Sequence, residues 1–153
     1  MKSILKTLLT SLSVLAVLNI NAQDARLEKI LNNQKLPYQY DQENVRYIVG
    51  YPLKKGRAQI VKITAYHTIG SISTMTISTM VRSTTLKGTE LENWVTSVNK
   101  RIKNGKFKLN REVVFFEVEI PVNSSDKSIL EALELVAVEG DKAEVELTEG
   151  DNF

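Results

Sequence analysis

The chain has 153 residues, with 20 Lys and Arg, 18 Asp and Glu, one histidine and no cysteine. Without a thiol it can form neither a disulfide nor a cysteine-ligated metal site, and one histidine cannot supply the usual zinc ligand sets. A chain of this length fits one domain with one apolar core.

The N-terminal segment has the pattern of a secretory signal peptide. Lys2 and Lys6 precede an uncharged run at residues 7–22, whose apolar centre at residues 8–18 is shorter than the roughly 20 residues of a membrane span. We expect cleavage after Ala22, with an uncleaved anchor as the alternative. Export without cysteine favours a periplasmic or secreted bacterial protein whose single domain is residues 23–153.

Charge is distributed unevenly along the predicted mature chain. Residues 23–111 hold 16 basic and 6 acidic side chains, whereas residues 112–153 hold 2 basic and 12 acidic ones. This asymmetry predicts either a basic binding face or a C-terminal helix that packs beside the basic segments.

A helix and three strands are predicted in the first half. Asp24 can cap a helix that carries Leu27, Ile30 and Leu31 on one face, and Pro37 ends it. Residues 38–51 alternate as one strand entered through the turn "DQEN", with Val45 among its apolar positions, and residues 58–66 alternate as a second. A third strand presents Met75, Ile77, Thr79 and Val81 on one side.

The second half predicts helix, two strands and helix. Thr89 and Glu92 have the spacing of a capping box. In the stretch "GKFKLNREVVFFEVEIPV", Phe107 and Leu109 form a short strand, and a second strand buries alternate residues from Val114 onward. That strand stops at Pro121 or lies at an edge, because proline lacks an amide donor.

The last helix can be capped by Ser124, Ser125 or Ser128, and we expect the acidic segment after Gly140 to fray. The sequence therefore predicts an α+β fold, a twisted antiparallel sheet of about five strands with helices packed on it. The predicted order is α-β-β-β-α-β-β-α.

The segments "LEKILNNQKLPYQYDQENV" and "LENWVTSVNKRIKNGKFKLNREVVFFEVEIPVNSSDKSILEALELV" resemble the YbjN-type domain family, whose fold is similar to that of type III secretion chaperones. The shared features are an asparagine-bearing helix leading into "GKF", a strand, and a helix after a Ser-Asp cap. The resemblance implies an α+β fold without enzymatic activity or cofactor, and relatives that dimerise or bind extended protein segments.

Catalytic signatures are sparse. His67 lies near a strand end, and an envelope hydrolase or small-ligand binder that uses it is our alternative function. Glu117 and Glu119 share a strand face and could serve acid/base chemistry or hold a cation, although a solvated face is the more common role of such pairs. Glycine-rich phosphate-binding motifs are absent from the sequence.

A basic run is broken by one aromatic residue and comprises Lys100, Arg101, Lys103, Lys106, Lys108 and Arg111. The basic run resembles a nucleic-acid-binding segment. Export argues against a nucleic-acid partner, and a solvated helix end is the simpler interpretation. Acidic lipid headgroups or an acidic protein segment are the remaining partners.

Val113 and Phe115 lie on the strand face opposite the predicted core residues. We therefore expect a helix, a second protomer or a bound peptide to bury them. We therefore predict a non-enzymatic interaction module that binds a protein segment or a second copy through a sheet edge and an aromatic surface. We expect no cofactor, no metal and no nucleic acid. The candidate contact residues are Val113, Phe115, Phe107, Lys106, Lys108 and Arg111.

Overall fold

A computed structural model describes residues 24–69 and 72–148, which form three helices and a six-stranded sheet. The helices are α1 (Ala25–Asn33), α2 (Gly88–Asn99) and α3 (Asp126–Leu147), and a short 3-10 turn spans Lys54–Gly56. The strands are β1 (Tyr38–Asp41), β2 (Arg46–Pro52), β3 (Ala58–Ile69), β4 (Ile72–Arg82), β5 (Lys106–Asn110) and β6 (Val113–Pro121). The predicted signal peptide lies outside the described residues.

The sheet is antiparallel throughout, with strand order β1-β2-β3-β4-β6-β5. The α+β fold predicted from sequence is therefore confirmed, although the sheet has six strands instead of about five. β6 ends at Pro121 as predicted, but it is an inner strand, with β4 on one side and β5 on the other.

The additional strand arises because residues 38–51 form two strands joined at the predicted turn "DQEN", and not one strand. Val45, predicted to lie in that strand, has a φ of 49° in the turn between β1 and β2. The Asp41 carboxylate accepts hydrogen bonds from the Asn44 backbone and side-chain amides and pairs with Arg46. The hydrogen bonds from Asn44 lower the Asp41 pKa. These polar contacts hold the chain reversal at the turn that the sequence predicts.

One face of the sheet holds the core. The buried stripe predicted for β4 is confirmed, since Met75, Ile77, Thr79 and Val81 all have less than 4% of their surface exposed. β6 contributes Val114, Phe116 and Val118, and α3 covers this face with Ile129, Leu133 and Val136 among other buried residues. α1 joins the same layer, because the Tyr47 hydroxyl accepts a hydrogen bond from the Asp24 backbone amide.

Two of the predicted helix starts are confirmed and one is wrong. The Asp24 side chain accepts hydrogen bonds from two amides of α1, and the Ser125 hydroxyl accepts one from Ser128. α2 begins at Gly88 after Lys87, which makes no side-chain capping bond. Thr89 consequently lies inside the first turn and not at the cap position that a capping box requires.

The prediction that the chain frays after Gly140 is wrong for residues 141–147, because α3 continues to Leu147 and buries Ala143 and Leu147. The rest of that acidic segment, residues 149–153, lies outside the described residues. Gly140 is a packing position. A Cβ atom there would lie 2.4 Å from the Thr79 Cγ2 atom, so the missing side chain lets the helix approach β4 closely. The Asp141 carboxylate pairs with Arg57 at 2.7 Å, which joins the acidic helix to the basic half of the chain.

Candidate interaction surface

The strand pair β5–β6 separates the predicted contact residues onto two faces of the sheet. Val113 and Phe115 are half-buried and alternate with the buried Val114 and Phe116, so they lie on the opposite face. Within the described residues, that face carries no helix. We call it the open face.

Phe107 does not lie on the open face with Val113 and Phe115, so these predicted contact residues are not brought together on one surface. Phe107 is 4% exposed, and its ring contacts Phe116 in a tilted arrangement with centroids 4.7 Å apart and Trp94 of α2 edge-on. The register explains this position, because Phe107 lies opposite Phe116 and therefore shares its face.

The open face has an apolar patch near the start of β3 and β6 and the end of β4, which consists of Ile60, Met80, Val113 and Phe115. Met80 lies directly opposite Phe115, and Ile60 comes from the neighbouring strand β3. Ile60 is 52% exposed and Met80 49% exposed, which makes them two of the most exposed large apolar side chains of the described structure. Large apolar side chains that cluster on a solvent-facing sheet indicate a contact surface.

Two arginines border this patch. Arg82 lies opposite Val113, and Arg111 lies in the tight turn between β5 and β6 with a φ of 58°. Together with Met80 and Phe115 they line an open depression of about 600 Å³. Within the described residues, neither guanidinium has an ion-pair partner. Glu112 also lines the depression, so its two arginines and one glutamate leave an excess of one positive charge beside apolar surface.

The lysines of β5 and the glutamates of β6 on the open face neutralise each other. Lys108 pairs with Glu117, and the Lys106 ammonium lies 3.8 Å from the Glu119 carboxylate. Both pairs are diagonal across β5 and β6, where long side chains can reach each other. Each of the two glutamates thus has a lysine as its partner, where the sequence alone also allowed a cation or a substrate. For the same reason the two lysines contribute little net charge to the patch.

The sheet edge at β5 is partly closed. The Asn99 side chain of α2 donates to the Phe107 carbonyl at 2.9 Å and accepts from the Phe107 amide at 2.7 Å. These are the backbone groups that a further strand would have to bind, so the amide blocks strand addition at this position. The opposite edge, β1, has only four residues. The open face is consequently a better binding surface than either edge.

His67 lies in β3 opposite Thr74, beyond a register shift that follows Thr64. Its side chain lies outside the described part of the structure, so the hydrolase or small-ligand alternative stays a prediction. Among the described residues, no group of three or more His, Asp or Glu side chains is arranged to hold a metal ion. No helix in residues 24–69 or 72–148 is long and apolar enough to cross a membrane.

The sequence analysis missed Ile60, Met80 and Arg82 as contact residues. Strand alternation contained the signal, because each of the three alternates with a buried residue of its strand. Alternation does not tell which face lacks a helix, and that information comes from the topology.

Comparison with known proteins finds no relative: no protein family, curated protein or solved structure matches the chain.

Proposed function

We propose that the protein is an exported, non-enzymatic interaction module that binds an acidic segment of another protein on its open face. The observation that carries the proposal is the apolar patch bordered by the unpaired arginines Arg82 and Arg111. Burial of Ile60 and Met80 would supply the apolar contact, and carboxylates of the partner would pair with the arginines.

An acidic segment fits this surface better than a second copy of the chain. A second copy would present an open face with the same excess of positive charge, from Lys62, Arg82 and Arg111, and not the acidic groups that these side chains would pair with. Like charges disfavour such an interface. The resemblance to YbjN-type domains supports binding of a protein segment but does not separate the two occupants, because their chaperone-like relatives both dimerise and bind extended segments.

A capture experiment with matched variants tests the proposal. Immobilised wild-type protein is incubated with an envelope extract, and retained proteins are quantified by mass spectrometry. We expect the double variant Ile60→Glu/Met80→Glu to lose a specific partner by at least about tenfold, since it removes the apolar contact and adds repulsion. Val145→Glu is the control, because Val145 is 54% exposed on α3, away from the open face.

The charge component is tested separately. Arg82→Glu/Arg111→Glu should lose the same partner, and synthetic acidic peptides from that partner should bind the wild type more weakly as salt rises. Identical retention by all variants would contradict the proposal. A dimer of the isolated protein in light scattering that dissociates on Ile60→Glu/Met80→Glu would make the second copy the occupant.

Export is tested independently. The intact mass of protein from a periplasmic fraction should correspond to a chain that begins at Gln23. A full-length mass in the cytoplasmic fraction would contradict the export component and leave the binding surface untouched.

A further inference from the structure

A second concavity lies on the covered side of the molecule, between α2 and α3 and above β5. It is a groove of about 410 Å³, within the size range of small-molecule sites. Its floor is apolar and consists of Val98, Ile102, Phe107, Leu135 and Ala143, and its rim is charged. This composition, an apolar floor with few polar groups at the edge, is typical of sites for small amphipathic molecules.

Trp94 forms one end of the groove. Its ring contacts Phe107 edge-on, with centroids 5.3 Å apart and planes at 72°, and its indole N–H donates to the Glu146 carboxylate at 2.8 Å. That hydrogen bond bridges α2 and α3. The Trp94 end of the groove is therefore aromatic and carries a fixed negative charge.

The opposite end is basic. Arg101 and Lys103 follow the end of α2, and Leu135 lies beside them. Within residues 24–69 and 72–148, neither Arg101 nor Lys103 has an ion-pair partner, whereas Lys142 on the rim between the ends is bound to Glu139 at 2.6 Å. From Leu135 to Glu146, which both line the groove, the helix rises about 16 Å. Charge thus changes sign along its axis.

We propose that this groove binds a small amphipathic anion, such as a medium-chain fatty acid. The carboxylate would pair with Arg101 and Lys103, and the hydrocarbon chain would lie on the apolar floor and point toward Trp94. The reverse orientation is disfavoured because the Glu146 carboxylate occupies the Trp94 end. This site is separate from the open face and does not depend on the function proposed above.

Fluorescence provides a direct test, because Trp94 is the only tryptophan of the chain. Decanoate, kept below its micelle concentration, is titrated into the purified protein while Trp94 emission is recorded, and binding is measured in parallel by calorimetry. Decyltrimethylammonium is the matched cationic probe, and decanol is the neutral one. We expect a saturable emission change with decanoate and at least about tenfold weaker binding of the other two.

Variants test the head-group contact. Arg101→Glu/Lys103→Glu changes two exposed side chains and should weaken decanoate binding at least about tenfold. Lys29→Glu/Lys127→Glu makes the same charge change at exposed positions of α1 and α3 outside the groove, and should leave decanoate binding unchanged. Thermal unfolding followed by circular dichroism verifies that both variants are folded.

Three outcomes would overturn the proposal: no saturable decanoate binding, equal binding of all three probes, or equal decanoate binding by the two charge variants. The variant Met80→Glu separates this site from the open face. It should leave decanoate binding unchanged even where it abolishes capture of a protein partner.

Discussion

The two faces of the six-stranded sheet share one backbone but carry side chains of different chemistry. On the covered face, β4 and β6 present a continuous set of buried apolar residues beneath α3. On the open face, the same strands present hydroxyl groups, neutralised ion pairs and the apolar patch. The polar positions suit a solvated sheet face, whereas the patch does not.

This difference separates stability from function. Residues on the covered face contribute most of the apolar burial, so their replacement should lower the free energy of unfolding. Residues of the patch are exposed or half-buried in the isolated chain, so their replacement should affect binding and lower the free energy of unfolding by much less. The predictions below test how sharp this division is.

Phe115 and Phe116 provide the most direct comparison, because adjacent residues of one strand point to opposite faces. Phe116 is 1% exposed, so Phe116→Ala should lower the free energy of unfolding by about 4 kcal/mol through lost burial and a cavity. Phe115→Ala should lower it by about 1 kcal/mol or less, since Phe115 is only half-buried. Urea unfolding measures both values. Equal losses would mean that the open face is covered.

Gly140 tests the close approach of α3 to the covered face. Gly140→Ala should lower the free energy of unfolding by about 2 kcal/mol, because the new Cβ atom would overlap Thr79 Cγ2 and this outweighs the better helix propensity of alanine.

Thr79→Ser is the matched second variant for Gly140→Ala. Serine lacks the Cγ2 methyl group and keeps the hydroxyl that bonds Gln59 and the Ile60 carbonyl. The double variant Gly140→Ala/Thr79→Ser should lose at least about 1 kcal/mol less than the sum of the single variants. Additive losses would show that Thr79 is not what limits the approach.

Much of this arrangement can be predicted from alternation and helix capping. The stripe from Met75 to Val81 and the cap at Asp24 depend on local periodicity and on short-range hydrogen bonds, which the sequence displays directly. The turn at Asp41 is displayed in the same way, because its hydrogen bonds join Asp41 to Asn44. The separate strand before that turn and the continuation of α3 past Gly140 are not, because each depends on pairing or packing that a local pattern does not show. At Gly140 the contact is with Thr79, which is distant in sequence.

The candidate surface was only partly predictable for the same reason. Alternation places Val113 and Phe115 away from the core, but it cannot place Phe107 relative to them. That relation depends on the register across the turn at Arg111, where a positive φ sets the pairing. Which face the helices leave uncovered also depends on the whole topology. The groove beside Trp94 likewise forms only when α2 and α3 are assembled.

Asn99 tests whether the β5 edge is protected. Asn99→Ala removes two hydrogen bonds to the Phe107 backbone and should lower the free energy of unfolding by about 1–2 kcal/mol. It should also increase self-association in sedimentation experiments as protein concentration rises, because the edge becomes available for pairing. Asn93→Ala, at an exposed position of α2, is the control. An unchanged association state would show that the edge needs no protection.

Tyr47 gives the smallest expected effect and tests the polar rim of the covered face. Its hydroxyl accepts from the Asp24 amide at 2.7 Å and donates to the Glu28 carboxylate, so Tyr47→Phe should lower the free energy of unfolding by about 1 kcal/mol at pH 7. Burial raises the Tyr47 pKa above its ordinary value of 10.0.

The raised Tyr47 pKa sets the direction of the pH dependence. Because the folded state disfavours ionisation of this phenol, its contribution to stability is complete below pH 10 and declines as the pH rises above it. The stability difference between wild type and Tyr47→Phe should therefore shrink in alkaline urea titrations. Tyr51→Phe is the control: burial also raises the Tyr51 pKa, but no hydrogen bond of its hydroxyl is found in the described structure. Tyr51→Phe should reduce the alkaline decline of the free energy of unfolding without lowering that free energy at pH 7. A constant difference in the free energy of unfolding between wild type and Tyr47→Phe up to pH 11 would contradict the assignment to Tyr47.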